Sequence, residues 1–154
     1  MGIVDERLVQ ARLRNLISNL HEAVLVENEH RQIVLVNNAF CQLFGIDLPP
    51  EVMVGADCSN AAEESKVLFL NPEKFVARIE SLLQEKALTI GDELELVNGS
   101  YLERDYIPVY VDNVYFGHLW KYRDITEKKK NEEEKNKLIE HLNQKNEQLE
   151  DTNK

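Results

Sequence analysis

The stretch Gly117-His118-Leu119-Trp120-Lys121-Tyr122-Arg123-Asp124-Ile125-Thr126 reads as an apolar and aromatic strand that stops at Asp-Ile-Thr. A highly charged run of helical composition, Glu127 to Lys154, follows it directly. This junction constrains the fold more than any other feature. A lone polar helix buries little and is marginal in water. A strand that feeds straight into one calls for a partner helix and a message carried along it.

Upstream, the hydrophobic period changes several times. Val9, Leu13, Leu16, Ile17 and Leu20 recur at helical spacing, which predicts an amphipathic helix with a stripe free to pack. Ala23–Val26 and Ile33–Val36 are short β-branched runs around the polar Glu27–Gln32, and they predict a hairpin. Asn37-Asn38 offers a cap for a short helix over Ala39–Phe44, ended by Gly45. Pro49-Pro50 breaks the chain, and Glu51–Leu70 is the least regular part. Asn71-Pro72 then caps a helix carrying Phe75, Val76, Ile79, Leu82 and Leu83. Three strands follow, over Glu93–Val97, Tyr101–Val111 and Val114–Arg123, with Asn98-Gly99 and Asp112-Asn113 as the turns. The order predicts an α+β fold: one antiparallel five-stranded sheet with helices on one face, flanked by N- and C-terminal amphipathic helices.

The net charge of −10 argues against a nucleic-acid binder, which needs basic surface to displace phosphate counterions. It also argues against direct contact with an anionic membrane. No apolar run approaches the roughly 20 residues of a membrane span. Two cysteines, Cys41 and Cys58, make no disulfide framework, so a reducing cytoplasm is the expected location. The four histidines, His21, His30, His118 and His141, show no metal-ligand spacing. No nucleotide loop or nucleophile elbow is present.

Asp124-Ile125-Thr126 followed by Glu127-Lys128-Lys129-Lys130 resembles the exit motif of PAS domains, the sensory modules placed before histidine kinases and other signalling outputs. Two further stretches carry the resemblance. Ala23–Val26 through Val36-Asn37-Asn38-Ala39-Phe40 is similar to the family's opening hairpin and N-x-A-F helix start. Asn98-Gly99-Ser100, followed by Glu103-Arg104-Asp105-Tyr106-Ile107-Pro108-Val109, resembles its D-G turn and following strand. The likeness runs from Leu16 to Lys130.

Period-two geometry puts His118, Trp120 and Tyr122 on one face of their strand. The resemblance implies that this face lines a ligand cavity, with Tyr122 and Trp120 inward and His118 near the rim. The same registration turns Leu102, Arg104 and Tyr106 inward. A buried Arg104 needs a partner. Either Arg104, His118, Trp120 and Tyr122 bind a small anionic or aromatic ligand, or Arg104 pairs with an internal acid such as Asp57 or Glu64 and the aromatics fill a core. Gly55-Ala56-Asp57-Cys58 is similar to the G-R-N-C of the flavin-binding, blue-light branch of the family, where the cysteine forms a flavin adduct. Ala56 replaces the phosphate-contacting arginine, so FMN is disfavoured. Haem is disfavoured too, because the helix over Pro72–Lys86 has no histidine. The cofactor is left unknown.

Leu138, Leu142 and Leu149, with Lys145 between the last two, follow a 4-3-4 spacing, a thin coiled-coil seam. His141 does not resemble a kinase phosphoacceptor box, and no kinase catalytic motif is present, so this chain is not itself an enzyme. The expected organisation is an N-terminal dimerisation helix over residues 1–20, a PAS domain over 21–126 and a signalling helix over 127–154. Val9, Leu13, Leu16, Ile17, Leu20, Leu138, Leu142 and Leu149 are the expected homodimer contacts. Asp124, Ile125 and Thr126 are the expected relay to a C-terminal output domain such as a histidine kinase. Tyr106 and Cys58 complete the expected ligand set. A flavin or haem light or redox sensor and a ligand-free dimerisation spacer stay open as alternatives.

Overall fold

The computed structural model describes residues 5–152. Residues 1–4 of the expected N-terminal helix, and 153 and 154 of the tail, lie outside the described residues. Two compact units divide between Asp124 and Ile125.

The first unit is built on five strands: β1 (Ala23–Glu27), β2 (Ile33–Val36), β3 (Thr89–Glu95), β4 (Tyr101–Val111) and β5 (Val114–Asp124). They form one sheet in the order β2-β1-β5-β4-β3. Every pairing is antiparallel. The strand that leads to the exit motif, β5, is therefore central. The β4–β5 turn places both Asp112 and Asn113 at positive φ, 51° and 65°, the conformation a two-residue hairpin needs.

Helix α1 covers Glu6–Ser18, α2 Asn38–Leu43, α3 Pro50–Met53, α4 Ala61–Ser65 and α5 Pro72–Glu85, with a 3₁₀ turn at Lys66–Leu68. Phe40 and Cys41 of α2 and Phe75, Ile79 and Leu82 of α5 pack with Leu25, Leu102, Tyr106, Trp120 and Tyr122 of the sheet in one core. Asn37 is a buried joint. Its Oδ1 accepts from the N–H groups of Val24 and Phe40, both at 3.0 Å, capping α2. Its Nδ2 donates to the carbonyls of Ile17 at 3.1 Å and Glu22 at 2.8 Å.

The sequence places the third strand at Glu93–Val97, but β3 starts at Thr89 and ends at Glu95. The reason is a break in the ladder between Thr89 and Asp92. There Gly91 takes φ 81° and gives its N–H to Asp105 Oδ1 at 2.9 Å. The irregularity destroys the alternation by which a strand is read.

Neither edge of the sheet is open along its whole length. At β2, Ile33 donates to the Ala56 carbonyl at 3.0 Å and Gly55 donates to the Ile33 carbonyl at 2.7 Å. Beside β3, Leu70 donates to the Glu95 carbonyl at 2.9 Å and Val97 to the Leu68 carbonyl at 3.0 Å. Residues 58–67, which carry α4, cross from one edge to the other.

The second unit is α6, Thr126–Thr152. The Lys129 N–H bonds to the Ile125 carbonyl at 2.9 Å.

Candidate functional site

Antiparallel pairing of β1 with β5 sets Glu27 opposite His118, Leu25 opposite Trp120 and Ala23 opposite Tyr122. Pairing of β4 with β5 sets Tyr106 opposite Trp120 and Arg104 opposite Tyr122. All these side chains share the helix-covered face. Glu27 is 1% exposed, and three donors converge on its Oε1. Trp120 Nε1 donates at 3.2 Å, Arg31 Nε at 2.9 Å, and His118 Nε2 is the third. Burial alone would raise the Glu27 pKa, but the bonds from His118 and Arg31 and their charge carry it below the ordinary carboxylate value.

A carboxylate only accepts, so His118 Nε2 carries the proton in that contact. His118 Nδ1 meets the Tyr115 hydroxyl, which shares a 3.3 Å hydrogen bond with the Tyr106 hydroxyl. A continuous polar chain thus runs from Arg31 through Glu27, His118 and Tyr115 to Tyr106. Burial and the Tyr115 contact push the Tyr106 phenol well up.

In front of Glu27 lies a cavity of about 420 Å³ between the sheet and α2–α5. Its sheet wall is Leu25, Glu27, Ile33, Trp120 and Tyr122, and its helical wall includes Phe40, Phe44, Phe75 and Ile79. Phe44 meets Tyr122 edge-on at 5.1 Å between ring centroids. Asp57 and Glu64, both exposed residues, lie at its margin.

Of the residues expected to hold a ligand, Cys58, Trp120 and Tyr122 line this cavity. His118 does not sit at a rim: it is 1% exposed and stands behind Glu27. Tyr106 is wholly buried against Trp120, with ring centroids 4.8 Å apart. Arg104 faces a second cleft, lined by Arg78, Lys74, Asp92 and Ser81 among others, between α5 and β3. Its internal acid is neither Asp57 nor Glu64 but Asp92, whose Oδ2 lies 3.3 Å from Nη2. Asp57 is instead turned to Ser59, and Glu64 sits on α4 and lines the first cavity, which Arg104 does not. Arg78 grips the same Asp92 at 2.8 Å. Burial would raise the Asp92 carboxyl, but the two guanidiniums hold it below its usual range. Arg104 Nε and Nη1 are buried without a hydrogen-bond partner.

Burial and the nearby Glu27 carboxylate push the Cys58 thiol up to about 12. It therefore stays protonated at neutral pH, and the thiolate needed for nucleophilic chemistry is suppressed. Among the described residues no group of three His, Cys, Asp or Glu is placed to hold a metal ion. None of the described helices is long and apolar enough to cross a membrane.

Asp124 closes β5 and Thr126 is the first residue of α6, with Ile125 between. Val9, Leu13, Leu16 and Leu20 are exposed, and α1 buries no side chain; Ile17 is half-buried. Leu138, Leu142 and Leu149 on α6 are exposed as well.

Sequence reading missed Glu27, Arg31, Tyr115 and Asp92. Glu27 looked like the first residue of a turn, and only its register against His118 reveals it. Arg31 lies four residues on in that turn, at φ 65°. Asp92 hides in the irregular start of β3.

A single antiparallel sheet with helices on one face and a cavity between them defines a small α+β domain. The family profile for the PAS domain matches residues 11–85. Solved structures agree in fold. A PAS domain from Colwellia psychrerythraea has 20% identity and a TM-score of 0.51, over 78% of this chain and 98% of that one. The PAS domain of BvgS from Bordetella pertussis has 18% identity and a TM-score of 0.56, over 86% and 98%. A PAS domain from a two-component sensor histidine kinase has 14% identity and a TM-score of 0.51, over 78% and 99%. No match stands among curated proteins. Residues 11–85 match the PAS domain family, and the fold is that of PAS domains.

Proposed function

We propose that this chain is the sensory and dimerisation module of a signal-transduction protein of the sensor histidine kinase type. The observation that carries the reading is the position of β5. Trp120 and Tyr122 wall the cavity, and the same strand runs on in the chain through Asp124, Ile125 and Thr126 into the long polar helix α6. A ligand or partner that favours one packing of Trp120 and Tyr122 shifts the population of β5 end states, and Asp124-Ile125-Thr126 relays that shift.

In this reading Cys58, Trp120 and Tyr122 contact the ligand. Tyr106, His118 and Arg104 hold that wall from behind. Residues 1–20 pair with a second copy through Val9, Leu13, Leu16, Ile17 and Leu20, and residues 127–154 continue as a two-stranded coil through Leu138, Leu142 and Leu149. The exposure of both stripes supports such pairing. The output domain follows α6, and the module works in the cytoplasm without nucleic acid or direct membrane contact. A solved PAS domain of this fold comes from a two-component sensor histidine kinase.

Native mass spectrometry of the purified chain tests this. The expected result is a dimer that carries, or takes up, a discrete small-molecule mass. A monomer with no uptake of any mass defeats the reading. A bare dimer moves the function to a ligand-free dimerisation relay.

A further inference from the structure

The charges around the cavity determine what kind of molecule fits it, given that it is the ligand site proposed above. Among the described residues lining it, Arg31 is the one cation, against the carboxylates of Glu27, Asp57 and Glu64. Arg31 is also committed: Nε bonds to Glu27 and Nη2 donates to the Cys58 carbonyl at 2.8 Å. The other cation expected here, Arg104, does not line the cavity, and its guanidinium stacks between Phe75 and Trp120 at 5.7 and 5.9 Å from their ring centroids. A carboxylate ligand would thus lose its hydration beside a buried carboxylate, with no uncommitted cation lining the cavity to receive it.

The acceptors point the other way. The three N–H donors to Glu27 all use Oε1, which leaves Oε2 only the weak thiol donor of Cys58 beside it. The remaining wall is aromatic and aliphatic, with Phe40, Phe44, Phe75, Trp120 and Tyr122 suited to a flat ring. We propose that the cavity takes a flat, mostly apolar molecule ending in a hydrogen-bond donor without negative charge, a hydroxyl, amide N–H or ammonium set toward Glu27 Oε2, and that it rejects the matching carboxylate.

Three probes share one ring and differ in their end group: tryptamine is cationic, tryptophol neutral and indole-3-acetate anionic. The ¹⁵N-labelled chain is titrated with each. Trp120 is the single tryptophan, so its indole N–H gives one resonance, and that N–H bonds to Glu27. Tryptamine or tryptophol should move this peak to saturation. Indole-3-acetate should bind at least about tenfold more weakly, as expected for one uncompensated charge in a poorly solvated site. Equal or tighter binding of indole-3-acetate overturns the charge assignment and leaves the sensor reading standing. If no probe moves the Trp120 peak, both the assignment and this cavity as a ligand site are overturned.

Discussion

Glu27 is a buried carboxylate whose cost of desolvation is offset by three donors, and the balance depends on its ionisation. Its folded pKa lies below its unfolded one, so between the two values the unfolded chain binds more protons. The stabilisation is therefore complete above the ordinary value of 4.5 and is lost as pH falls through the lowered folded value. Asp92 acts with the same sign. Urea midpoints recorded against pH should fall on the acid side, and Glu27→Gln should flatten that fall while lowering stability at neutral pH. An unchanged acid limb would remove Glu27 from this role. Arg104 has the opposite standing. Its Nε and Nη1 are buried and unpartnered, a cost that offsets what the guanidinium gains at Asp92 and Tyr122, and Asp92 keeps Arg78. Arg104→Met should change stability by no more than about 1 kcal/mol in urea denaturation, because a well-packed apolar replacement often matches a buried ion. A loss of several kcal/mol would show that the missing partners are filled, for instance by buried water. Strand period grouped Leu102, Arg104 and Tyr106 on one face of their strand and His118, Trp120 and Tyr122 on one face of theirs, and the family resemblance turned both faces inward. Period could not reach Glu27, because a single acid after Ala-Val-Leu-Val has no period of its own.

The elements were legible wherever local chemistry agreed with the tertiary role. Asn37 and Asn71 cap their helices, Asp112-Asn113 makes its turn, and α5 shows its buried stripe in sequence. Agreement failed at β3, where the Gly91 irregularity is fixed by Asp105 on the neighbouring strand. Gly117 shows how strictly an element is set by its neighbour. It sits in β5 at φ 119°, and a Cβ there would lie 2.1 Å from the Glu27 carbonyl oxygen and 2.8 Å from Asn28 Cα. Those atoms are backbone, so no side chain can turn aside. Gly117→Ala should destabilise the domain by more than about 2 kcal/mol, combining left-handed strain with displacement of the β1 end. Thermal and urea unfolding measure it. A loss below about 0.5 kcal/mol, the range of an ordinary surface change, would mean that β1 yields easily.

At the scale of the whole molecule, the apolar stripe of α1 is the surface most in need of a partner. Leu13 and Leu16 are 51% and 66% exposed. Burying a leucine contributes about 1.5–3 kcal/mol. The double change Leu13→Glu with Leu16→Glu should therefore weaken a dimer by at least about a hundredfold in sedimentation equilibrium. A dimer that survives with unchanged affinity places the interface elsewhere. Such an interface was partly legible, since helical spacing shows a stripe in sequence, but a stripe does not say what covers it. The segment that carries α4 was the least legible part of the chain, and its support explains why. It has little helix of its own and is anchored by hydrogen bonds at the two opposite edges of the sheet, near Ala56 and near Leu68. A footbridge fixed to both banks can arch but cannot swing. Ala61, Glu64, Ser65 and Val67 of that span line the cavity, so this part of its wall is held from its two abutments.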